Sequence, residues 1–245
     1  MPTRIIAHRG ASADAPENTM PAFELAVRQR AHMIEFDVRP TADGTIVVFH
    51  DETTERWNGQ AQPIDQMTLA DVQRLDIGGA RVPTLSELFD WARSTDLELN
   101  VEIKVPGIEQ HVVDLIGQFD LLDRVIVSSF YPTSLYNMRR VAPEIPLGVL
   151  MGTRTYAPRI RLREAWPLPA LRAHAARAWH PAWQLPMLDR IIARVQAAGY
   201  AVHVWTVDDP PIMRRLLRLG VAGIITNRPA LLHEVIDTWN ATSQP

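Results

Sequence analysis

Two acidic residues stand two positions apart in an apolar segment, Ile34-Glu35-Phe36-Asp37-Val38. Successive side chains of a β-strand point to opposite faces, so both carboxylates share one face and the three apolar side chains share the other. Facing carboxylates repel each other and raise each other's pKa unless a cation lies between them. Because Mg²⁺ and Ca²⁺ prefer oxygen ligands, the spacing predicts that Glu35 and Asp37 bind one of these ions.

A second polar pattern lies in the segment Asn100–Lys104, where every second side chain is polar. Glu102 offers a third carboxylate, and the ammonium of Lys104 offers a compact positive charge for a phosphate group. Lys104 is the single lysine of a chain whose other basic residues are arginines. A same-face ion pair with Glu102 is the alternative, but it does not explain why lysine stands at this one position.

Two histidines follow two other predicted strands, one in His8-Arg9-Gly10 and one in His50-Asp51. Imidazole transfers protons near neutral pH, and the planar guanidinium of Arg9 suits phosphate oxygens. A surface His-Arg pair in a loop is the alternative interpretation of the first motif. Together, three carboxylates, two histidines and two cations fit the metal-assisted cleavage of a phosphate ester.

These residues must be positioned by short apolar segments that alternate with amphipathic ones along the whole chain. The predicted strands are Arg4–Ala7, Met33–Val38, Glu98–Ile103, Val125–Ser129, Leu147–Met151, Ala178–His180, Val202–Val207 and Gly223–Thr226. The predicted helices are Met20–Ala31, Leu85–Ser94, Ile108–Phe119, Thr133–Val141, a broad helical region over Arg159–Arg177, Leu188–Ala198, Ile212–Leu219 and Leu231–Trp239. An extra strand, Thr45–Phe49, follows the second one across the hairpin signal Asp43-Gly44.

Strands that are each followed by a helix predict an α/β fold, a (β/α)₈ TIM-type barrel with a small hairpin excursion after the second strand. Active sites of such barrels lie at the C-terminal ends of the strands, where the candidate residues stand. A doubly wound open sheet is the alternative architecture. The first strand is not followed by a glycine-rich phosphate loop, which disfavours that alternative.

The chain has 245 residues, of which 47% are hydrophobic and 22% are charged, as in ordinary globular proteins. We expect a single barrel domain over residues 1–240 and a C-terminal tail over 241–245. The absence of cysteine excludes a disulfide scaffold, a thiolate zinc site and a cysteine nucleophile. A net charge of −3 does not favour binding to nucleic acid. Neither a membrane span nor a targeting signal is visible, so we expect a cytoplasmic protein.

A series of short motifs extends over about residues 5–232: His8-Arg9-Gly10, Pro16-Glu17-Asn18-Thr19, Glu35-Phe36-Asp37-Val38, Thr41-Ala42-Asp43-Gly44, His50-Asp51, Glu102-Ile103-Lys104, Ser128-Ser129-Phe130, Trp205-Thr206-Val207 and Thr226-Asn227-Arg228-Pro229. Their order gives the chain a close resemblance to the glycerophosphodiester phosphodiesterases, in their short bacterial form. It implies a small-molecule substrate, a glycerophosphodiester that is hydrolysed to an alcohol and sn-glycerol 3-phosphate.

The resemblance further implies metal ligands, an acid–base pair, phosphate-binding cations and a wall for the glycerol moiety. By this resemblance, Glu35, Asp37 and Glu102 would bind one Mg²⁺ or Ca²⁺ ion, and His8 and His50 would be the acid–base pair. Arg9 and Lys104 would bind the phosphate, and Trp205 would form the wall for the glycerol moiety. Barrel packing is the alternative for Trp205. Glu17 is expected to orient Arg9 or the metal ligands rather than to bind the metal itself.

Two positions depart from the family pattern, because Ala222 and Asn227 stand where aspartate is usual. Neither is a candidate to touch the metal, so we expect the departures to bear on substrate preference more than on activity. His180 and His203 are candidates to line the pocket. The histidines on helices or at helix ends are expected to be solvated: His32, His111, His174 and His233.

The segment 154–183 carries many arginines against one acid, Glu164, and begins after the fifth predicted barrel strand. Arginine stems packed along an outer helix are one interpretation, and a positive, aromatic-edged approach for anionic diesters is the other. The arginines are Arg154, Arg159, Arg161, Arg163, Arg172 and Arg177, and the aromatic residues are Tyr156, Trp166, Trp179 and Trp183.

Other functions stay open on the sequence. A lysophospholipase D-type or other phosphodiester hydrolase would use the same groups. A Schiff-base aldolase would use Lys104 as its nucleophile but would leave the three carboxylates unexplained. A non-catalytic binding barrel would need neither two histidines nor a metal. Five further points stay open: the preferred headgroup, the choice between Mg²⁺ and Ca²⁺, the role of each histidine, direct water attack or a cyclic phosphate, and the oligomeric state.

Overall fold

The computed structural model describes residues 2–152 and 157–243, and within them eight parallel strands close into a barrel surrounded by helices. The strands are β1 Arg4–His8, β2 Met33–Pro40, β3 Ile46–Val48, β4 Glu98–Ile103, β5 Val125–Ser129, β6 Leu147–Met151, β7 Ala178–Pro181, β8 Ala201–Val204 and β9 Gly223–Thr226. The helices are α1 Met20–Arg28, α2 Glu55–Asn58, α3 Leu69–Val72, α4 Leu85–Ala92, α5 Glu109–Gln118, α6 Pro132–Val141, α7 Pro158–Ala165, α8 Leu168–Ala173, α9 Leu188–Ala197, α10 Pro210–Arg218 and α11 Pro229–Ser243. None of these described helices combines the length and the apolar character that crossing a bilayer requires.

The sheet closes because β1 pairs in parallel with both β2 and β9. The strand order around the barrel is β1-β9-β8-β7-β6-β5-β4-β2, and β3 lies outside it, antiparallel to β2. The predicted TIM-type barrel with a hairpin excursion after the second strand is therefore confirmed.

The alternation of β2 is fixed by apolar packing on its outer face. Phe36 is fully buried and packs edge-on against Phe23 of α1 and Phe89 of α4. The ring centroids are 5.9 Å apart in the first pair and 6.4 Å apart in the second. Burying one such side chain is worth about 1.5–3 kcal/mol. A shift of one residue would turn these rings inward and would place Glu35 and Asp37 against the helices. The apolar face thus holds both carboxylates inside the barrel.

The register between strands decides which side chains become neighbours at the C-terminal mouth. His8 of β1 is aligned with Glu35 of β2, and Asp37 of β2 is aligned with Glu102 of β4. Neighbouring strands lie about 4.8 Å apart. Groups that are far apart in the sequence therefore converge from three adjacent strands.

The excursion after β2 is larger than the predicted hairpin, because the chain runs through α2, a 3₁₀ turn and α3 before it reaches α4. Thr68 and Thr84 each open a helix with a capping box. The excursion has an apolar cluster of its own, formed by Val47, Phe49, Ile64, Val72, Leu75, Ile77 and Val82. This cluster supports the segment that carries His50.

The broad helical region predicted over 159–177 contains two helices, because α7 ends at Ala165 and α8 begins at Leu168. Pro167 has no backbone N–H and disfavours the helical conformation of the residue before it. Trp166 accordingly has φ −136° and ψ 72°. The proline separates the two helices.

Candidate active site

A pocket opens at the C-terminal ends of the barrel strands. It is lined by His8, Arg9, Glu35, His50, Asn100, Glu102, Lys104, Phe130, Leu150, Trp205 and Ile225. The two remaining predicted site residues touch this lining, since Asp37 pairs with Lys104 and Glu17 pairs with Arg9. The structure therefore brings every residue predicted for the site to one place.

The three acidic residues are arranged as a single oxygen donor set. Glu35, Asp37 and Glu102 each bring one carboxylate oxygen to within 4.8 Å of the others. All three side chains are buried, with 3%, 1% and 7% of their residue surface exposed. Oxygen ligands that lie 2.0–2.6 Å from a divalent ion are at most about 5 Å apart. The residues present thus fit one Mg²⁺ or Ca²⁺ ion.

Two cationic side chains neutralise part of this negative charge. Lys104 Nζ lies 2.6 Å from Glu102 Oε1 and 3.3 Å from Asp37 Oδ1, and Arg9 Nε lies 3.1 Å from Asp37 Oδ2. Glu35 Oε2 instead accepts a hydrogen bond from the Arg9 backbone N–H at 3.2 Å. Two cationic side chains thus balance three carboxylates, and the negative charge of Glu35 is the least neutralised of the three.

The pKa shifts follow this distribution of charge. Burial raises the pKa of Glu35, and repulsion from Asp37 and Glu102 raises it further. Burial also raises the pKa of Glu102, although the Lys104 ammonium opposes the effect. Burial acts in the same direction on Asp37, but attraction to Lys104 and Arg9 outweighs it and lowers the pKa. Glu35 is therefore the carboxyl group that takes up a proton most readily, and a divalent ion competes with that proton.

His8 ends β1 between the pocket and the last barrel strand. Its Nδ1 lies 2.7 Å from Asn227 Oδ1, and its Nε2 lies 3.9 Å from Glu35 Oε2. Burial lowers the pKa of His8 to about 4, and the nearby Arg9 guanidinium lowers it as well. The ring is consequently neutral at physiological pH, which is the form that can accept a proton.

Of the two positions that depart from the family pattern, only Asn227 lies near the site. The structure places its side chain behind His8, whereas the Ala222 carbonyl accepts a hydrogen bond from Arg4 N at the opposite end of the barrel. The expectation that both departures bear on substrate preference stays a prediction.

His50 reaches the pocket from the excursion. Its Nδ1 lies 2.8 Å from Asp51 Oδ1, and its carbonyl accepts a hydrogen bond from Arg39 Nε of β2 at 2.9 Å. Burial lowers the pKa of His50, while the Asp37 carboxylate opposes this shift. A second imidazole thus lines the pocket together with His8.

Arg9 turns back over the pocket because β1 is followed by two residues with positive φ, Arg9 at 55° and Gly10 at 82°. A Cβ at position 10 would lie 2.7 Å from Ala22, so this turn requires glycine. In this conformation Arg9 NH1 donates to Glu17 Oε1 at 2.9 Å. Glu17 is therefore placed to hold Arg9, as the sequence predicted.

Two further residues hold the site and were missed by sequence reasoning. Asn18 Nδ2 donates to Asp37 Oδ2 at 2.9 Å, and its place between Glu17 and Thr19 in the PENT motif was the signal for it. Arg56 of α2 donates to Glu17 at 2.5 and 3.0 Å and to Asp51 at 2.6 Å. Arg56 thus links the arginine side of the pocket with the histidine side. No local motif marks Arg56, because only the folded excursion brings it back to the barrel.

An aromatic pair forms the apolar wall of the pocket. The rings of Phe130 and Trp205 meet edge-to-face at 5.6 Å with an interplanar angle of 85°. Trp205 Nε1 donates to the His180 carbonyl at 2.8 Å, which fixes the indole. Lys104 Nζ lies 6.0 Å from the Phe130 ring. An apolar surface beside a cation suits a glycerol phosphate, and the role of Trp205 stays a prediction.

The two histidines considered as pocket residues are buried deeper in the barrel. His203 Nδ1 lies 3.1 Å from His180 Nε2, and neither residue belongs to the described pocket lining. Burial lowers the pKa of both rings, that of His203 to about 4. A Cβ at Gly148 would lie 2.6 Å from the His180 ring, so the missing side chain makes room for this pair. The pair fills the barrel interior.

The arginine-rich segment begins beside the end of β6. Glu164 Oε1 accepts a hydrogen bond from Gly152 N at 3.1 Å, and Glu164 Oε2 pairs with Arg161 at 3.0 Å. No residue of α7 belongs to the pocket lining among the described residues. Arg154 and Tyr156 lie outside the described residues, so the positive approach stays a prediction.

Residues 8–231 match the model of the Glycerophosphoryl diester phosphodiesterase family. A glycerophosphodiester phosphodiesterase of Caldanaerobacter subterraneus is 35% identical over 96% of this chain and 98% of its own length. Another, from Bacillus subtilis, is 30% identical over 96% of this chain and 87% of its own length.

Solved structures show the same similarity. A phosphodiesterase of Oleispira antarctica, solved in complex with the product sn-glycerol-3-phosphate, superposes with a TM-score of 0.83. It is 27% identical and covers 96% of both chains. A glycerophosphodiester phosphodiesterase of Agrobacterium tumefaciens gives a TM-score of 0.80 at 28% identity, over 94% of this chain and 98% of its own.

Proposed function

Because the chain belongs to the glycerophosphodiester phosphodiesterase family and is an enzyme of that activity, we propose that the carboxylate pocket hydrolyses glycerophosphodiesters to an alcohol and sn-glycerol 3-phosphate with one divalent cation. The observation that carries this proposal is the convergence of three buried carboxylates, two histidines and two cations in one pocket. The product bound to the Oleispira antarctica phosphodiesterase supports the substrate class.

Glu35, Asp37 and Glu102 would hold the cation, since each brings one carboxylate oxygen to within 4.8 Å of the others. When bound, a hard divalent ion polarises a phosphate oxygen and offsets the negative charge that develops during displacement. Arg9 and Lys104 bind the remaining phosphate charge. Their ion pairs with the carboxylates keep both side chains extended into the pocket before substrate arrives.

His8 and His50 act as the acid–base pair. One imidazole takes a proton from the nucleophile, and the other gives a proton to the departing alkoxide oxygen. The Asp51 carboxylate orients His50 by accepting from Nδ1. The same two transfers serve direct attack by water and attack by the neighbouring glycerol hydroxyl, which gives a cyclic phosphate before hydrolysis.

The Schiff-base alternative is disfavoured by the surroundings of Lys104. Burial alone would lower the pKa of its ammonium, but attraction to Asp37 and Glu102 outweighs burial and raises the pKa. A nucleophilic lysine needs a lowered pKa, so that a neutral amine is present. Lys104 is instead held as a cation, which suits phosphate binding.

Turnover of glycerophosphocholine by the purified protein tests the proposal. We expect activity with Mg²⁺ or Ca²⁺ and loss of activity with excess chelator. His8→Gln and His50→Gln should each lower kcat by about 10²–10⁴-fold. His111→Gln is the matched control, because His111 is exposed on α5. Full activity of the metal-free enzyme, or near-normal turnover by either variant, would remove the corresponding group from the mechanism.

A further inference from the structure

A chain of hydrogen bonds runs behind His8, on the side away from the pocket. Asn227 directly follows β9, and Asp208 lies in the loop after β8. Asn227 Oδ1 lies 2.7 Å from His8 Nδ1, and Asn227 Nδ2 donates to Asp208 Oδ2 at 2.6 Å. Neither Asn227 nor Asp208 belongs to the described pocket lining. Asn227 reaches the described pocket lining through His8, and its Oδ1 also accepts a hydrogen bond from Ser12 Oγ at 2.8 Å.

Asp208 determines which way the Asn227 amide points. Its carboxylate accepts from Asn227 N at 2.8 Å and from Thr226 Oγ1 at 2.9 Å, in addition to Asn227 Nδ2. A carboxylate accepts hydrogen bonds but does not donate them, so the amide nitrogen of Asn227 must face Asp208. The amide oxygen is thereby directed at His8.

The orientation of the Asn227 amide determines which nitrogen of the His8 ring carries the proton. A carbonyl oxygen only accepts, so His8 Nδ1 carries the hydrogen in the contact with Asn227 Oδ1. A neutral ring that is protonated on Nδ1 has a lone pair on Nε2. Nε2 is the atom on the pocket side, 3.9 Å from Glu35 Oε2.

We propose that Asn227 and Asp208 are positioning residues that hold His8 with its proton on Nδ1, so that Nε2 is the nitrogen that exchanges a proton with the substrate. This inference rests on the proposed function, because it takes His8 to be one of the two proton-transferring groups. Rotation about the ring axis is restricted by the same bond. The orientation and the tautomer of His8 are thus set by residues in the loops that follow β8 and β9.

Nitrogen-15 NMR of the histidine rings, with Mg²⁺ present, reads the tautomer directly. The His8 signals are assigned by their loss in His8→Gln. We expect wild-type His8 to show a protonated Nδ1 and an unprotonated Nε2. A wild-type His8 protonated on Nε2 alone would overturn the inference, whatever the variants do.

Two variants separate positioning from general stability. Asn227→Leu should lower kcat for glycerophosphocholine by about 10–100-fold with little change in KM, because an outer partner is lost but no pocket residue changes. Asp208→Asn should release the Asn227 amide to rotate, shift His8 toward the Nε2-protonated form and lower kcat, although Asp208 does not touch His8. Matched controls are Asn240→Leu on α11 and Asp209→Asn directly before α10, both exposed.

The outcomes separate this inference from the proposed function. Wild-type kcat and an unchanged His8 spectrum in Asn227→Leu would overturn the positioning role. Normal turnover by His8→Gln would instead refute the catalytic role of His8, and the wild-type NMR spectrum would still decide the tautomer. A lowered Tm with normal kcat per folded molecule would also count against the positioning role.

Discussion

Replacing Glu35 by glutamine should stabilise the metal-free protein and abolish most of its stabilisation by metal. Glu35 is buried among two other carboxylates, and the side-chain cations pair with Asp37 and Glu102 instead. Its raised pKa means that the folded state favours the protonated carboxyl. The metal-free protein therefore loses stability as pH rises from the unfolded pKa of about 4.3 through the higher folded pKa. A glutamine at this position removes that loss.

The size of the effect follows from the separation of the oxygens. Two unit charges within 4.8 Å of each other repel by at least about 3.5 kcal/mol at an effective dielectric constant of about 20. Protonation of Glu35 and the nearby cations relieve part of this repulsion. We therefore expect Glu35→Gln to raise the free energy of unfolding of the metal-free protein by about 1–3 kcal/mol at pH 8. In a chain of this size that corresponds to roughly 2–12 °C in Tm.

Metal should narrow or reverse the stability difference between the two proteins. At a concentration of one hundred times Kd, a cation stabilises the wild type by about 2.7 kcal/mol, or about 5–10 °C. The variant has one charged ligand fewer, so its gain should be much smaller. Thermal unfolding followed by circular dichroism, with chelator and with Mg²⁺ or Ca²⁺ at pH 5 and pH 8, measures both effects.

Glu109→Gln is the matched control, because Glu109 is also buried but accepts from Gly107 N away from the pocket. It should leave the metal-dependent shift intact. A Glu35→Gln protein that is less stable than the wild type in chelator at pH 8, or that keeps the full metal-dependent shift, would refute the assignment of Glu35 to the metal.

Three further expectations concern the cationic side chains. Lys104→Arg should be about as inactive as Lys104→Ala, because a forked guanidinium does not fit between Asp37 and Glu102; turnover close to wild type would contradict this. Arg56→Ala should lower kcat/KM by about 10-fold. Tm should change little, since the Arg56 side chain is 45% exposed and exposed ion pairs stabilise little; unchanged kinetics would show that Arg56 does not influence the pocket. Added salt should reduce kcat/KM for anionic glycerophosphodiesters more than for glycerophosphocholine, and changing Arg159, Arg161 and Arg163 together to glutamine should flatten that difference; equal salt slopes in the wild type would favour surface packing.

Local spacing carried most of the site prediction. The two-residue period of a strand is enough to place Glu35 beside Asp37 and Glu102 beside Lys104, because alternate side chains share a face whatever the fold around them. The end of α7 shows the limit of periodicity, since the arginine-rich pattern continues past Ala165 but a proline breaks the helix. His180 and His203 show another limit, because inward-facing positions of a strand fill the barrel interior as well as its mouth.

The sequence by itself determined the barrel and the hairpin after its second strand, and it predicted the residues at the barrel mouth, because these follow from residue types at short, regular spacing. Only the tertiary structure decided which side chains contact and orient the residues of the candidate site. Asn227 lies 219 residues from His8 and meets it because a closed sheet places its last strand beside its first. Arg56 meets Glu17 across 39 residues because the apolar cluster of the excursion folds α2 back over the pocket. Such contacts depend on closure and packing, and no local period of the chain encodes them.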